Sequence, residues 1–558
     1  MRLGCVPFVL VLAAAVSGDA AAQFRRAGWF PDRPVAWHEH DDQHVAQRPS
    51  STPLGEWDFA LLIRDSLAKE VDRVLSVEGP QPARDVNALD EVPCSTWFCP
   101  RHHLRPLHLE ALTRGPSAPA APRLPLTIVR GKHQGATPGF EVEDAAGDKF
   151  LLKLDPAGHL AMSTGAEKIG QLVFHAAGYN VPGAFVRDLD QKRDLLLSPR
   201  ATYKLYGVDS RTLRPAHVQA QLDAAAHTPQ GKLRVVLVPW IPGEILGGFD
   251  MEGRKRDDPN DRIAHEDRRS LRASFVLAAW LSVLDPSSIN TLDTLVEENG
   301  RRFVRHYFID FGAALGSATN HPAGLADGGQ HLIEVGRTIK AFFGLGFYRR
   351  PFQLDKDVWR QAVQRYPNVG WFPAERFDPD DYHPNRKNPA HVRATDRDLY
   401  WGAKLVTAFT DAQIAALVDQ ARFPRPEADY VLHALRVRRD IIGRRYLGPM
   451  TAVERPAMAA GDAEVCFSDL GVDRGLARPD AIRYAITISD GLGQRLSSFE
   501  QQAGRARTCV PVGPGPGTSG YRIVEVERLG NQAKATRIHL RWRSPERRFV
   551  VVGLERDE

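Results

Sequence analysis

The chain has 558 residues, of which 43% are hydrophobic and 25% charged, and its 73 Lys and Arg residues nearly balance 68 Asp and Glu residues, for a formal net charge of +5. This composition is that of an ordinary folded protein, so it excludes disordered, collagen-like and highly basic tail-like classes. We therefore expect two to four domains and no nucleic-acid partner.

The N-terminus has the pattern of a secretory signal peptide. Arg2 precedes an apolar run over residues 3–16, and Ala20–Ala22 supply the small residues that a signal peptidase needs before Gln23. No later stretch reaches about 18 uninterrupted apolar residues. We predict that residues 1–22 are removed and that the mature protein is exported, periplasmic or secreted, without a transmembrane segment. A retained membrane anchor is the alternative.

Four cysteines remain after that cleavage, an even number that suits disulfides in an oxidising compartment. We predict local pairing of Cys94 with Cys99 and of Cys466 with Cys509, although four cysteines allow three connectivities. A metal site is the alternative, because three histidines follow Cys99 closely: His102, His103 and His108.

The sequence between Gln23 and about Pro125 is irregular, apart from a predicted helix over Trp57–Leu75, and it ends in a linker over residues 117–122. From Leu126 the pattern changes to short predicted strands separated by glycine turns, followed by a helix that Gly178 is placed to stop. These elements cover residues 126–130, 140–144 and 149–154 for the strands and Thr164–Ala177 for the helix.

The next segments alternate between apolar and charged. A compact apolar strand is predicted over Arg234–Trp240, and a buried helix over Arg269–Leu284. The charged insert between them, Gly247–His265, is expected to cover a cleft or to be a solvated loop. Helical patterns dominate Leu332–Arg444, interrupted by a proline-rich loop over residues 367–389.

The C-terminal part has the period-two alternation of β-strands. Apolar residues fall two apart from Ile482 to Ile488 and again from Ile538 to Trp542. This pattern predicts a small β domain with a sandwich-like architecture. The face opposite Ile538 carries several arginines, and it is expected to be solvated or to contact an anionic polymer or lipid.

Gly131, Gly135 and Gly139 lie in a turn between the first two predicted strands. Glycine lets backbone N–H groups approach phosphate oxygens without an intervening Cβ, so the turn is a candidate nucleotide-binding loop. Most glycine-containing hairpins bind nothing, however, and the P-loop spacing is absent.

Lys153 is the polar residue of an otherwise apolar strand, and burying its ammonium requires an anionic partner such as a phosphate or a carboxylate. An edge strand whose lysine extends to water is the alternative. Glu167, in the helix that follows, is a candidate partner. Thr164 and Glu167 also have the spacing of a capping box, in which case Glu167 would only close the helix end.

Asp285 and Asn290 are five residues apart at the end of the predicted buried helix, and Asp310 ends a predicted strand over Phe303–Ile309. Together they supply a base and two oxygen ligands for Mg²⁺. Phosphoryl transfer uses such a set, because its transition state is stabilised mainly by positioning and by cations.

The order of these features resembles the protein-kinase-like fold over roughly residues 126–444. In chain order they are the glycine turn, Lys153, Glu167, Asp285, Asn290 and the sequence Asp310-Phe311-Gly312. The resemblance is closest to the atypical branch, such as HipA-like and phosphoinositide-kinase-like enzymes. The strings over residues 176–182, 265–269 and 309–317 are also similar to a group of uncharacterised exported bacterial kinase-like proteins.

The resemblance implies a role for each of these residues. Lys153 would hold the α- and β-phosphates of ATP and pair with Glu167, while Asp285 would orient or deprotonate the acceptor hydroxyl. Asn290 and Asp310 would bind Mg²⁺ or Mn²⁺.

The strand over Val236–Trp240 would be the hinge against which the adenine stacks, with Val238 and Trp240 as nucleotide-binding residues. The implied fold is α+β, with a bilobal kinase-like core between an N-terminal extension and a C-terminal all-β domain. The predicted divisions are 1–22 (signal peptide), 23–125 (extension and linker), 126–240 (N-lobe to hinge), 241–459 (helical C-lobe) and 460–558 (β domain).

The predicted function is metal-dependent transfer of the γ-phosphoryl group of ATP to a hydroxyl of an unknown protein, sugar or lipid acceptor. The main alternative is a catalytically inactive pseudokinase or binding module at the cell surface. A metal hydrolase that uses Asp285 and Asp310 ranks last, because the histidine spacing of zinc enzymes is absent.

Overall fold

The computed structural model describes residues 30–52, 81–116, 121–131, 139–205, 208–332, 343, 355–517 and 519–557. The predicted signal peptide, the predicted helix over Trp57–Leu75 and Gly135 lie outside these residues. Within them the protein is a mixed α/β structure, whose strands form one seven-stranded, one five-stranded and two three-stranded sheets.

The strands, in chain order, are β1 (Leu126–Gly131), β2 (Gly139–Glu143), β3 (Lys149–Leu154), β4 (Phe185–Leu189), β5 (Leu195–Leu205), β6 (Val208–Thr212), β7 (Leu233–Pro239), β8 (Glu244–Gly247), β9 (Thr291–Glu298), β10 (Arg301–Phe308), β11 (Val453–Met458), β12 (Glu464–Asp469), β13 (Arg483–Asp490), β14 (Arg495–Gln502), β15 (Thr508–Pro511), β16 (Tyr521–Arg528), β17 (Thr536–Arg543) and β18 (Arg548–Arg556).

The α-helices are α1 (Leu109–Arg114), α2 (Met162–Ala177), α3 (Pro215–Asp223), α4 (Arg269–Arg272), α5 (Ser274–Leu281), α6 (Lys356–Arg365), α7 (Pro389–Val392), α8 (Asp396–Thr407), α9 (Asp411–Ala421), α10 (Arg425–Leu447) and α11 (Leu470–Asp473). Short 3₁₀ helices cover His265–Asp267, Ser288–Asn290, Pro379–Asp381 and Pro479–Ala481.

The seven-stranded sheet has the order β4-β7-β3-β2-β1-β5-β6, with β1 and β5 parallel and the other neighbours antiparallel. Side chains alternate across a sheet, so Phe150 and Leu152 of β3 enter a hydrophobic core on one face. Lys153 and its cross-strand neighbour Val236 lie on the other face, which packs against α2. The sheet thus presents a lysine to a helix.

The predicted buried helix over Arg269–Leu284 is shorter than expected and divided into α4 and α5. α5 is buried along nearly its whole length, but it ends at Leu281 because Ser282 has a left-handed φ of 49°. The chain then leaves the helix, and the Leu284 N–H donates to the Ala313 carbonyl at 2.8 Å. Asp285 therefore lies in a loop beyond the helix.

The N-terminal extension crosses other parts of the protein. Val45 N–H donates to the Arg302 carbonyl of β10 at 2.9 Å, and Thr52 N–H donates to the Leu246 carbonyl of β8 at 2.7 Å. The Gly247–His265 insert packs here too, since Asn260 is 2% exposed and exchanges hydrogen bonds with the Gln43 backbone. Asn260 of the insert is therefore packed against the N-terminal extension rather than solvated.

The C-terminal strands form two sheets, β11-β12-β15 and β14-β13-β16-β17-β18, that share one hydrophobic core. The predicted alternation is present, because Ile538 and Leu540 are fully buried. The opposite face of β17 is largely occupied by the chain itself. The Phe30 ring contacts His539, and Arg543 pairs with Asp32.

Two disulfides join Cys94 to Cys99 and Cys466 to Cys509, as predicted. The first closes a loop whose Trp97 ring lies between His306, stacked at 3.5 Å, and His265, tilted at 4.6 Å. This loop therefore contacts β10, the strand that leads to Asp310. Within the described part of the chain, no helix is long and apolar enough to cross a membrane.

A buried ionic network connects three distant parts of the sequence. Lys404 of α8 contacts Glu91 of the N-terminal extension and Glu454 of β11. Asp90 accepts from Arg269 of α4 at 2.6 Å and lies 3.6 Å from Arg556 of β18. All of these side chains are 6% exposed or less, so each needs its partners to stay charged.

Candidate functional site

Lys153 forms a buried ion triad with two carboxylates. Its Nζ lies 2.8 Å from Glu167 Oε2 of α2 and 2.9 Å from Asp310 Oδ1, just after β10. Lys153 is 3% exposed and Glu167 1%, whereas the Asp310 side chain is 34% exposed. Burial alone would lower the pKa of Lys153, but the negative charges of Asp310 and Glu167 outweigh it and raise that pKa. The lysine is therefore a stable cation that faces a partly open carboxylate.

The start of α2 is fixed by Asp155, one residue beyond β3. Its Oδ1 accepts from the N–H groups of Ser163 and Thr164, and its Oδ2 accepts from the Ala161 N–H and the Thr164 hydroxyl, all at 2.7–2.9 Å. Asp155 is fully buried, beside Arg234 at 3.5 Å. Asp155 follows Lys153 by two residues, and its hydrogen bonds fix the start of α2. This helix carries Glu167, the partner of Lys153.

This geometry decides between the two interpretations of Glu167. The helix begins at Met162 rather than at Thr164, so Thr164 lies inside the first turn and is not the N-cap. Glu167 points to Lys153 instead of closing the helix end. The capping-box alternative is therefore wrong.

The segment Asp310–Gly312 is tightly packed against α2. Asp310 has a left-handed φ of 61°, an unfavourable conformation for a residue with a side chain. A Cβ on Gly170 would lie 2.5 Å from the Phe311 side chain, and a Cβ on Gly312 would lie 2.7 Å from Ser163 Oγ. Small residues on both sides thus let the carboxylate of Asp310 reach Lys153.

The loop over Asp285–Asn290 lies next to this segment. Ile309 N–H donates to the Asn290 carbonyl at 3.0 Å, which joins the loop to the residue before Asp310. Ser287 Oγ donates to Asp285 Oδ1 at 2.6 Å, and Asn290 Nδ2 donates to the Asp285 carbonyl at 2.8 Å. The loop that carries Asp285 and Asn290 is thus joined to the residue before Asp310.

Gly131, Gly139 and the predicted hinge strand belong to the same large sheet as Lys153. Gly139 pairs with Lys153, and a Cβ at Gly139 would lie 2.1 Å from the Leu152 carbonyl oxygen, so only glycine fits there. Gly131 ends β1 and pairs with Phe140.

The predicted strand over Arg234–Trp240 is β7, shifted by one residue. Val238 is 8% exposed, while Trp240 lies just beyond β7 and is 43% exposed. Trp240 lines a cavity of about 270 Å³ together with Val129 and Glu141. An open aromatic side chain at the edge of this sheet face is suited to stacking on a planar ligand.

The donor set suits a hard divalent cation. Asp310 offers a carboxylate and Asn290 an amide oxygen, which are the ligands that Mg²⁺ prefers. The triad of one lysine and two carboxylates also has an excess negative charge. Within the described ranges no group of three or more His, Cys, Asp or Glu side chains is placed to bind a metal. A Mg²⁺ shared between one or two protein ligands, water and phosphates needs no such group.

Sequence reasoning missed Asp155 and Ser287, which position Glu167 and Asp285. The signal was weak, since both are small polar residues next to prolines at the ends of elements, where capping residues are common. Their importance follows from their hydrogen bonds rather than from their spacing.

No protein-family model matches the chain, and no curated protein matches it. A crystal structure of the proinflammatory kinase CtkA from Helicobacter pylori is 12% identical and covers 57% of this chain and 94% of its own, with a TM-score of 0.29. A crystal structure of the Golgi casein kinase with Mn and ADP bound is 9% identical and covers 69% and 86%, with a TM-score of 0.27. At such TM-scores neither likeness assigns a fold or a function to this protein.

Proposed function

We propose that the protein is a kinase-like phosphotransferase that uses ATP and a divalent metal ion to phosphorylate a hydroxyl group. The observation that carries this proposal is the buried Lys153 between Glu167 and the partly exposed Asp310. Glu167 is fully enclosed and holds the lysine, whereas Asp310 reaches solvent. Lys153 is therefore suited to bind an anion, and Asp310 a cation beside it.

In this proposal Lys153 binds phosphate oxygens of the nucleotide, and Glu167 keeps the lysine charged and oriented. Asp310 and Asn290 hold the metal ion, which when bound neutralises charge on the phosphates. Asp310 is paired with Lys153, so in this proposal Asp310 would exchange that contact for the metal ion and Lys153 would exchange it for phosphate oxygens.

Asp285 orients the acceptor hydroxyl and accepts its proton. Ser287 fixes one carboxylate oxygen of Asp285 by its 2.6 Å hydrogen bond, so the side chain is held in one orientation before the acceptor binds. Gly131, Gly139, Val238 and Trp240 are assigned to the nucleotide, with the indole of Trp240 under the base.

We also propose a division of the chain into two kinase-like lobes and a C-terminal β domain. The large sheet with α2 forms the N-terminal lobe, the helices from α4 to α10 form the C-terminal lobe, and the two sheets after Met450 form an appended sandwich. The two disulfides suit an exported protein, whose compartment is oxidising.

The test is nucleotide-induced stabilisation followed by transfer. Mg²⁺ with ATP at 100 times its dissociation constant should stabilise the parent by about 2.7 kcal/mol, visible as a rise in melting temperature. Asp310→Asn should lose that rise. Asp148→Asn, an exposed carboxylate in the turn before β3, is the matched control and should keep it.

Transfer of label from γ-labelled ATP, to protein or to water, then separates an enzyme from a binding protein. Asp285→Asn should keep the nucleotide-induced rise and lose transfer by about 100-fold or more. If neither Mg²⁺ nor Mn²⁺ with ATP stabilises the parent, the proposal is wrong. Stabilisation without transfer in the parent would instead favour the binding-module alternative.

A further inference from the structure

Arg386 belongs to a segment that is hydrogen-bonded to the loop carrying Asp285. The backbone N–H of Asn385 donates to the carbonyl of Leu284, the residue before Asp285, at 2.7 Å. Asn388 Nδ2 donates to the carbonyl of the residue after Asp285 at 2.8 Å. The two segments therefore run side by side, and Arg386 is attached through its neighbours to both sides of the candidate base.

The segment is itself held firmly. The side chain of Asn388 accepts from the N–H groups of Ala390 and His391 and so caps α7, and Asn388 is 2% exposed. On the other side, the Asn385 carbonyl accepts from the Leu332 N–H at 2.8 Å. A loop fixed at both ends holds the residue between them at a defined place.

Arg386 is buried, and its surroundings among the described residues are unusual. It is 8% exposed, and its Nη1 is enclosed without a hydrogen-bond partner. In the part of the chain that the structure describes, no carboxylate forms an ion pair with it. A buried guanidinium is unfavourable unless an anion or several acceptors satisfy it.

Other buried arginines of this protein do have partners. Arg269 pairs with Asp90 and Asp398, and Arg438 donates to carbonyl and hydroxyl oxygens at the end of α5. Arg386 differs from them because, among the described residues, its Nη1 has no acceptor and no carboxylate pairs with it, which points to a ligand.

We propose that Arg386 binds an oxyanion of the phosphate type beside Asp285. Its catalytic role rests on the proposed phosphotransferase function. The planar guanidinium donates two parallel N–H groups to a phosphate, a geometry that a lysine does not reproduce. The anion has two possible sources: the phosphoryl group in transfer, or an anionic group on the acceptor. In both, Arg386 brings positive charge to the acceptor side of the site, whereas Lys153 lies on the nucleotide side.

The first experiment uses inorganic phosphate as the probe, with the full-length protein, in the absence and presence of MgADP. Phosphate at millimolar concentration should raise the melting temperature of the parent by a few degrees. Arg386→Gln should abolish this rise, and Arg386→Lys should retain only part of it. The matched control is Arg200→Gln, which removes an exposed arginine of β5 and should leave the rise unchanged.

A parent that does not respond to phosphate, or an Arg386→Gln variant that responds as the parent does, would overturn the inference. The two proposals are tested separately. Failure of the nucleotide to bind would refute the proposed function, whereas the response to phosphate alone tests the anion site at Arg386. If Arg386→Gln does not fold, the phosphate-induced rise of Arg386→Lys is compared with that of the parent. Both proteins carry the positive charge, so an equal rise in the two would contradict the inference.

The second experiment distinguishes the two sources by following ATP hydrolysis to water, which has no anionic acceptor. If Arg386 binds the phosphoryl group in transfer, Arg386→Gln should lower the hydrolysis rate 10- to 100-fold while the KM for ATP stays within about twofold. If it binds the acceptor, hydrolysis should stay at the parent rate while the phosphate-induced rise is lost. A raised KM for ATP with an unchanged maximal rate would show that Arg386 contacts the bound nucleotide instead, and would contradict the assignment.

Discussion

Gly312 has no space for a side chain in the candidate site. An added Cβ would lie 2.7 Å from Ser163 Oγ and within 3.7 Å of carboxylate oxygens of Asp310 and Glu167. Ordinary carbon contacts begin near 3.5 Å, so either the helix or the Asp310 segment must move. The close approach of Ser163 therefore favours glycine at this position.

We expect Gly312→Ala to destabilise the protein by about 1–3 kcal/mol, as overpacking of a buried site does, and to reduce nucleotide-induced stabilisation as well. Ser163→Ala removes the oxygen that the new methyl group meets. The double variant should therefore recover much of both losses, which thermal melts with and without MgATP would measure. Strictly additive losses would show that Ser163 is not the obstacle.

At this scale the sequence predicted that Lys153 needs an anionic partner, and the structure supplies Glu167 and Asp310. The catalytic roles of these residues stay predictions. Asp155 and Arg386 could not be found from the sequence, because their significance depends on which backbone groups lie opposite them and on which partners they lack.

At the scale of elements, the junction between β3 and α2 decides the geometry of the ion triad. One carboxylate, Asp155, ties the end of the strand to the first turn of the helix with four hydrogen bonds. Burial nevertheless raises the pKa of Asp155, against the opposing effect of Arg234. The hydrogen bonds of Asp155 therefore stabilise the junction, whereas the burial of its carboxylate is unfavourable.

We expect Asp155→Ala to cost about 1–3 kcal/mol of stability and to lower nucleotide affinity, because α2 would lose its anchor and Glu167 its alignment with Lys153. The matched control is Asp144→Ala. Asp144 also accepts three backbone hydrogen bonds, but at the turn between β2 and β3. This control should lose stability without losing affinity, as denaturation and nucleotide titration would establish. Equal loss of affinity in both variants would argue against the positioning role.

The two disulfides should differ in their effects. Their loops span 5 and 43 residues, and loop-closure entropy then gives about 2 kcal/mol for Cys94–Cys99 and about 4 kcal/mol for Cys466–Cys509. Replacing each pair by serines and measuring urea denaturation would test this order. Only the shorter loop holds Trp97 against His306, so only its loss should also weaken nucleotide binding.

The elements were predictable where local pattern decides them. The strands around Lys153 and the alternation after Ile482 were placed to within one or two residues. The long helix ending at Leu284 was wrong, because apolar periodicity continues through Ser282 although the backbone does not. Ser282 takes a left-handed conformation where the chain leaves α5, and Leu284 then contacts Ala313, a tertiary contact that no local pattern contains.

At the scale of the whole molecule, the buried ionic network should make stability depend on acid pH. Burial by itself would raise the pKa of Asp90, but Arg269, Arg556 and Arg397 lower it to about 2. An acid with a depressed folded-state pKa contributes stability above its unfolded value, near 4, and loses that contribution as the pH falls towards 2. The contribution of Asp90 is on the order of 2 kcal/mol.

Urea denaturation of the parent between pH 7 and pH 3 should therefore show stability falling below about pH 4. Asp90→Asn should be less stable than the parent at pH 7, and the difference should narrow as the pH falls. A constant difference across this range would mean that the pKa of Asp90 is the same in the folded and the unfolded protein.

The sequence divided the chain into consecutive regions, and the network runs across those divisions. Glu454 and Arg556, which belong to the C-terminal strands, supply charges that Lys404 and Asp90 need. A fragment cut near residue 450 would keep every residue of the Lys153 site and still carry orphaned ions in its interior. We expect such a fragment to be insoluble. A truncated protein would therefore lose activity because these ion pairs are missing, and the loss would look like that of a catalytic residue.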